Sequence, residues 1–198
     1  MNAPLEIKAL PPNHVISWTP EVSEMKITVL RLGHRPTRDK RLSTHLLLAA
    51  RAFGASDAVY SGTMDPGLEE SVAKIVRDWG GDFRVAYEGN WRRIVKEWGG
   101  KVVHLTMYGL PAQGTVSEVR AADEPLLVVV GGPKVPREMY DMADWNVSVT
   151  TQPHSEVSAL AVFLHLLLGG SEPGLGFPGA RLRIVPSAKG KDVVVSKD

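Results

Sequence analysis

Leu126-Leu-Val-Val-Val-Gly-Gly-Pro-Lys-Val135 and Val149-Thr-Thr-Gln-Pro-His-Ser-Glu-Val-Ser-Ala-Leu160 each run from a β-branched strand into a Gly- or Pro-bearing loop, and each loop opens a helix. A continuous apolar run such as Leu126 to Val130 suits a central parallel strand covered on both faces. Two such loops at neighbouring strand ends predict a cleft in which backbone groups hold a small polar ligand. Tyr108-Gly-Leu110, ending another strand, supplies a third wall.

Outward from these loops the pattern is a regular alternation. Strands are predicted at 27–32, 57–61, 83–87, 102–107, 126–130 and 147–150, and helices at 37–53, 68–79, 90–98, 136–143 and 155–168, with an ill-defined helical stretch before Leu126. In the first helix Leu42, His45, Leu46, Ala49 and Ala50 form the expected core face. Residues 180–185 and 192–195, joined by Ser187-Ala-Lys-Gly190, predict a short C-terminal hairpin. The fold class is therefore α/β, a mostly parallel sheet with helices on both faces. Residues 1–25, with Pro4, Pro11, Pro12 and Pro20, read as an extended arm, and residues 26–198 as a single domain.

The 198 residues carry 23 Lys or Arg against 22 Asp or Glu, and no cysteine. Disulfides, thiolate metal sites and thiol catalysis are thereby excluded. No apolar run approaches the roughly 20 residues of a membrane span, and no signal-peptide pattern opens the chain, so a cytoplasmic location is expected. Dinucleotide-fold, P-loop, zinc-protease and serine-hydrolase signatures are absent, and no metal is expected. Net charge does not mark a nucleic-acid binder, but Arg31, Arg35, Arg38, Lys40 and Arg41 cluster at the end of the first strand. Arg92, Arg93 and Lys96 form a second group. A guanidinium cluster is either a solvated rim or a phosphate grip.

Ser155 is a natural N-cap, and Gln152, His154 and Glu156 gather with it at one helix start. His154 could instead satisfy a loop carbonyl, and Gly131-Gly132 could be only a permissive turn. The helix at 159–168 is apolar nearly all round, which suits a deep core position or a dimer seam.

Several blocks resemble the SPOUT superfamily of S-adenosylmethionine-dependent RNA methyltransferases, within it the archaeal tRNA ribose 2′-O-methyltransferases that act on cytidine-56 of the T-loop. They are Val29-Leu-Arg-Leu-Gly-His-Arg-Pro36, Asp39-Lys-Arg41, Thr44-His45, Ala50-Arg-Ala-Phe-Gly54, Asn90-Trp-Arg92, Val103-His-Leu-Thr-Met-Tyr-Gly-Leu110, Val130-Gly131, Lys134-Val-Pro-Arg-Glu138 and Gln152-Pro-His-Ser-Glu-Val157. The resemblance spans about residues 27–195. It implies a trefoil knot at about 103–170, a homodimer, a tRNA partner, and S-adenosyl-L-methionine as cofactor. It places the cofactor on Tyr108, Gly109, Leu110, Gly131, Gly132, Pro133, Lys134, Val135, Val149, Thr150, Thr151, Gln152, Pro153, His154, Ser155 and Glu156. Arg31, Arg35, Arg38 and Arg92 are expected to face RNA. Relatives use an arginine of the first helix in transfer, but the matching position here is Leu48. Arg41 and Arg51 are the alternatives, Arg41 being preferred for the cluster around it, with His45 one turn on. A base-nitrogen methyltransferase and a non-catalytic RNA-binding module are the competing readings.

Overall fold

The computed structural model describes residues 25–132 and 134–196. Along them run β1 (Ile27–His34), α1 (Pro36–Ala52), β2 (Asp57–Gly62), α2 (Pro66–Trp79), β3 (Arg84–Tyr87), α3 (Trp91–Lys96), β4 (Lys101–Pro111), α4 (Ala112–Ala121), β5 (Leu126–Gly131), α5 (Arg137–Met142), β6 (Trp145–Ser148) and α6 (Glu156–Leu167). A 3-10 turn and two short strands, β7 (Leu182–Val185) and β8 (Asp192–Val195), follow. The expected arm lies, but for Met25, outside the described residues.

β1 to β6 form one sheet in the order β3-β2-β1-β5-β4-β6, and every neighbouring pair is parallel. Burial on both faces accounts for the unbroken apolar stretch of β5, whose residues 126–130 are all buried. One face packs Val29, Val103, Val128 and Val130 against α1, α2, α4 and α6, through Leu46, Leu47, Leu68, Val116, Phe163 and Leu164. The other packs Leu30, Leu32, Leu127 and Val129 against α3 and α5 through Val95 and Met139. β7 and β8 pair antiparallel, and Ile184, Val193, Val194 and Val195 stay exposed.

α1 differs from its predicted face. Its buried residues are Asp39, Ser43, Leu46, Leu47, Ala50 and Arg51, and His45 is exposed. Two polar side chains can turn inward because each has a partner: Arg35 Nε donates to Asp39 at 2.9 Å, and Ser43 Oγ lies 2.8 Å from His34 Nδ1. The Arg35 hydrogen bond holds the Asp39 carboxyl below its ordinary range against the opposing effect of burial.

His34 is fully buried, and its Nε2 faces Asp65 Oδ2 at 3.3 Å. Asp65 in turn caps α2 by accepting from the N–H groups of Gly67 and Leu68. Burial pushes the Asp65 carboxyl up, but the bonds from His34 and Leu68, the charge of Lys40 and the bond from Gly67 together outweigh it and bring it below its ordinary value. This network fixes the end of β1 against the start of α2. Arg51 closes the opposite end of α2, donating to Trp79 O at 2.9 Å and Gly80 O at 2.7 Å while its guanidinium stacks 4.3 Å from the centroid of the Phe177 ring. Arg51 is thus a structural clamp.

β4 runs four residues beyond its predicted end. Val147 of β6 pairs with both Leu105 and Leu110, so residues 106–109 bulge out between two contacts with one partner residue. Gly109 is required there: a Cβ would fall 2.5 Å from Asn146 C, Asn146 O and Val147 N.

Candidate functional site

Two adjoining cavities open at the carboxyl ends of the strands, where a doubly wound sheet binds ligands. The first, of about 640 Å³, is walled by His104 to Tyr108 of β4, by Val130 to Gly132 and Val135 after β5, and by Val149, Pro153, His154 and Glu156 after β6. Tyr140 of α5 and Ala159 of α6 complete it. The second, of about 500 Å³, lies over β1 and β2, between Gly33, Arg35, Arg38, Gly62, Gly89, Trp91 and Lys134. Gly132 and Val135 belong to both linings.

The three loops singled out in the sequence therefore do converge. Tyr108, Gly131, Gly132, Val135, Val149, Pro153, His154 and Glu156 line the first cavity. Lys134 lines the second, while Gly109, Leu110, Thr150, Thr151, Gln152 and Ser155 lie outside both linings. Gly109 shapes the wall by its close approach to β6, and Pro133 lies outside the described residues. Ser155 caps α6, accepting from Val157 N at 3.2 Å. His154 Nδ1 donates to Gln152 O at 2.7 Å.

Three polar residues that the sequence reading passed over stand in the first cavity. His104 is fully buried, and its Nδ1 lies 2.8 Å from Asn146 Oδ1. Asn146 Nδ2 donates to Tyr140 O at 2.9 Å, so the oxygen of that amide faces His104 and Nδ1 must carry the hydrogen. Nε2 is then a bare acceptor, and it has no partner. Burial lowers the His104 pKa, only partly opposed by Asn146, and keeps the ring neutral. Thr106 Oγ1 and Tyr140 Oη, 3.1 Å apart, sit beside it. The available signal was a pair of polar side chains, His104 and Thr106, in an otherwise apolar strand.

The basic cluster divides sharply. Arg35 and Arg38 are exposed and line the second cavity, and Arg92 is exposed and paired with Glu138 at 2.6 Å. Arg31, expected to face RNA, is instead only 1% exposed. Its position in β1 explains this: Ile27, Val29 and Arg31 share a face of a strand that is buried on both sides. The guanidinium donates from Nη1 to Leu32 O at 3.0 Å, while Nε has no partner. Among the described residues it forms no ion pair; Glu156 and Asp39 stabilise its charge from farther off, and burial is the larger influence, lowering its pKa. A Cβ on Gly132 would stand 3.8 and 3.9 Å from the two terminal nitrogens of Arg31 and 3.9 Å from Glu156 Oε1. A buried cation and a carboxylate thus flank the glycine shared by both cavities. Arg31 itself lines neither cavity, and neither do Arg41 and His45, which are exposed on α1.

A family model described as tRNA ribose 2′-O-methyltransferase, aTrm56, matches residues 79–194. A tRNA (cytidine(56)-2′-O)-methyltransferase of Methanothermobacter thermautotrophicus is 54% identical over 170 residues, covering 84% of this chain and 95% of its own. One from Pyrococcus horikoshii is 49% identical over 171 residues, covering 85% and 84%. Among solved structures, the A. aeolicus TrmH/SpoU tRNA modifying enzyme superimposes with a TM-score of 0.54 at 13% identity, over 77% of this chain and 79% of its own. AviRb from Streptomyces viridochromogenes, a SpoU methyltransferase in complex with AdoMet, gives 0.52 at 12% identity, over 74% of this chain and 58% of its own. These two likenesses establish a shared fold.

Proposed function

The chain belongs to the tRNA ribose 2′-O-methyltransferase family, and from that premise we propose that it methylates the ribose 2′-hydroxyl of cytidine 56 in tRNA, using S-adenosyl-L-methionine. The observation that carries the reading is the junction of two cavities at Gly132, with the Glu156 carboxylate lining the first and the buried cation of Arg31 behind the glycine.

The first cavity suits the cofactor's chemistry. His104, buried in the wall and bonded to Asn146, ties β4 to β6 beneath the cavity, and Val130, Val147, Val149 and Ala159 supply apolar walls. Gly131 and Gly132 let a ligand approach the main chain. When bound, S-adenosylmethionine supplies a methyl group already activated on a sulfonium, so the protein's work is alignment and charge management. A ribose hydroxyl is a poor nucleophile, and the charge of Arg31, buried behind the Gly132 wall, favours negative charge on that oxygen through the wall without touching it. The cation is preorganised for this because its Nε and its charge lack full compensation within the protein. Glu156 is the carboxylate placed to take the proton. Arg41 and His45, outside the cavities of their own chain, reach a cofactor only across a two-fold interface.

That interface is part of the proposal. Tyr108, Leu110 and Val162 are large apolar side chains exposed at 79%, 65% and 43%, and a second copy of the chain would cover them. The trefoil knot is supported by β6 lying outside β4 while α6 returns to pack on α1 and α4, with Gly109 pressed on the β6 main chain at the crossing. No helix among the described residues is long and apolar enough to cross a membrane, and no cluster there could hold a metal ion; a cytoplasmic site of action suits a tRNA substrate.

The direct test is incubation of an unmodified tRNA transcript with the protein and methyl-labelled cofactor, followed by alkaline hydrolysis. A ribose methyl blocks cleavage of the adjacent phosphodiester, so a label in an alkali-resistant dinucleotide that maps to position 56 is expected. Label in a mononucleotide would indicate base methylation instead, and no label with tight RNA binding would indicate a binding module. Substituting His104→Phe, which breaks the bond to Asn146 between the β4 and β6 walls, should weaken cofactor binding about tenfold in a calorimetric titration. Unchanged affinity would show that this bond does not shape the cavity.

A further inference from the structure

The second cavity has a composition that its neighbour lacks. Three cationic side chains, Arg35, Arg38 and Lys134, line it, and no carboxylate does. Gly33, Gly62, Gly89 and Gly132 leave main chain open along its walls, and the half-buried indole of Trp91 forms one side. The Arg92 guanidinium stacks 4.6 Å from the centroid of that indole, which fixes the ring as a platform. Only Arg35 of the three cations has an acidic partner among the described residues, Asp39. Cations without carboxylates, an aromatic wall and about 500 Å³ are the chemistry of a single nucleotide with its phosphate, whereas a duplex backbone needs an open surface.

Resting on the reading of ribose methylation, we propose that this cavity receives the acceptor nucleotide itself, extruded from the folded RNA. Its phosphates lie among Arg35, Arg38 and Lys134, and its base lies against Trp91. Gly132 is the passage to the first cavity. A cavity of this size admits one nucleotide taken out of its stack and not a stacked run, and Gly132 is where that nucleotide comes nearest the first cavity. The pocket therefore selects RNA whose target leaves its stack at low cost, and the exposed rim around Arg92 supports the flanking backbone.

The test uses a full-length tRNA transcript with 5-iodocytidine at position 56, bound to the intact protein with S-adenosylhomocysteine and irradiated. A crosslink in the peptide containing Trp91 is expected. Arg38→Ala and Lys134→Ala, both exposed positions, should each raise the KM for tRNA about tenfold and leave the dissociation constant of S-adenosylmethionine unchanged. A crosslink confined to other peptides, or unchanged KM in both variants, while the transcript is methylated at its ribose, overturns the nucleotide pocket and leaves the enzymatic reading standing. Absence of ribose methylation in the unsubstituted transcript overturns that reading and this one with it.

Discussion

Replacing Arg31 by methionine is expected to lower methyl transfer by a factor of about 10, the loss of a positive charge buried behind the Gly132 wall rather than of a donor touching the oxygen, with folding stability held or increased. The two effects have one cause. Arg31 is nearly inaccessible, makes one hydrogen bond to Leu32 O, and has no ion-pair partner among the described residues. A desolvated cation of this kind costs free energy in the folded state. Apolar residues of similar volume in place of buried charges are often neutral or stabilising, by about 1–4 kcal/mol. Single-turnover methylation and denaturant unfolding of the same variant measure both sides. Near-normal turnover would remove Arg31 from the chemistry, and marked destabilisation would make it a structural residue like Arg51. Arg41→Ala is the comparison, since it removes a cation of the same cluster from the exposed face of α1.

Gly109→Ala should destabilise the protein by about 3 kcal/mol, the upper end for overpacking, and abolish measurable cofactor binding. The new Cβ would meet Asn146 C and O and Val147 N at 2.5 Å, all of them main-chain atoms. Those atoms cannot swing aside, because Val147 is already paired with Leu105 and Leu110. Separation of β4 from β6 would displace the bulge that carries Thr106 to Tyr108. Gly131→Ala offers the contrast: its Cβ would meet a side chain, Val135 Cγ2, and Val135→Ala in the same molecule should restore binding. Denaturant midpoints and calorimetric titrations of the three proteins decide the matter. Gly109→Ala with normal stability and affinity would refute the requirement for glycine where β4 approaches β6.

The site was legible in the sequence where chemistry follows from local rules. The β5 loop and the Ser155 cap are such places, since an apolar run ending in Gly-Gly and a serine before a helical stripe have few other uses. Arg31 was not legible as part of a charge cluster, because adjacency in sequence says nothing about side in a strand. The alternation Ile27, Val29, Arg31 was the better signal. Asp39 and Ser43 misled for a related reason: polar side chains imply solvent unless a partner awaits them inside, and Arg35 and His34 are such partners. Tyr140 entered the cavity from a six-residue helix whose placement depends wholly on tertiary packing. α4 was indistinct because Ala112, Thr115, Val116 and Val119 form a weak stripe that only burial reveals.

The far end of α2 is sealed by residues about a hundred positions later. Gly81 N donates to Pro178 O at 2.8 Å, Arg51 stacks on Phe177, and Arg181 Nη2 donates to Asp78 Oδ1 at 2.7 Å. As the nascent polypeptide leaves the ribosome from its amino terminus, the segment holding α1 and α2 must wait, with that end of α2 open to water, until residue 181 has emerged. A ribosome stalled before that point would display a half-closed molecule, open to chaperones and proteases.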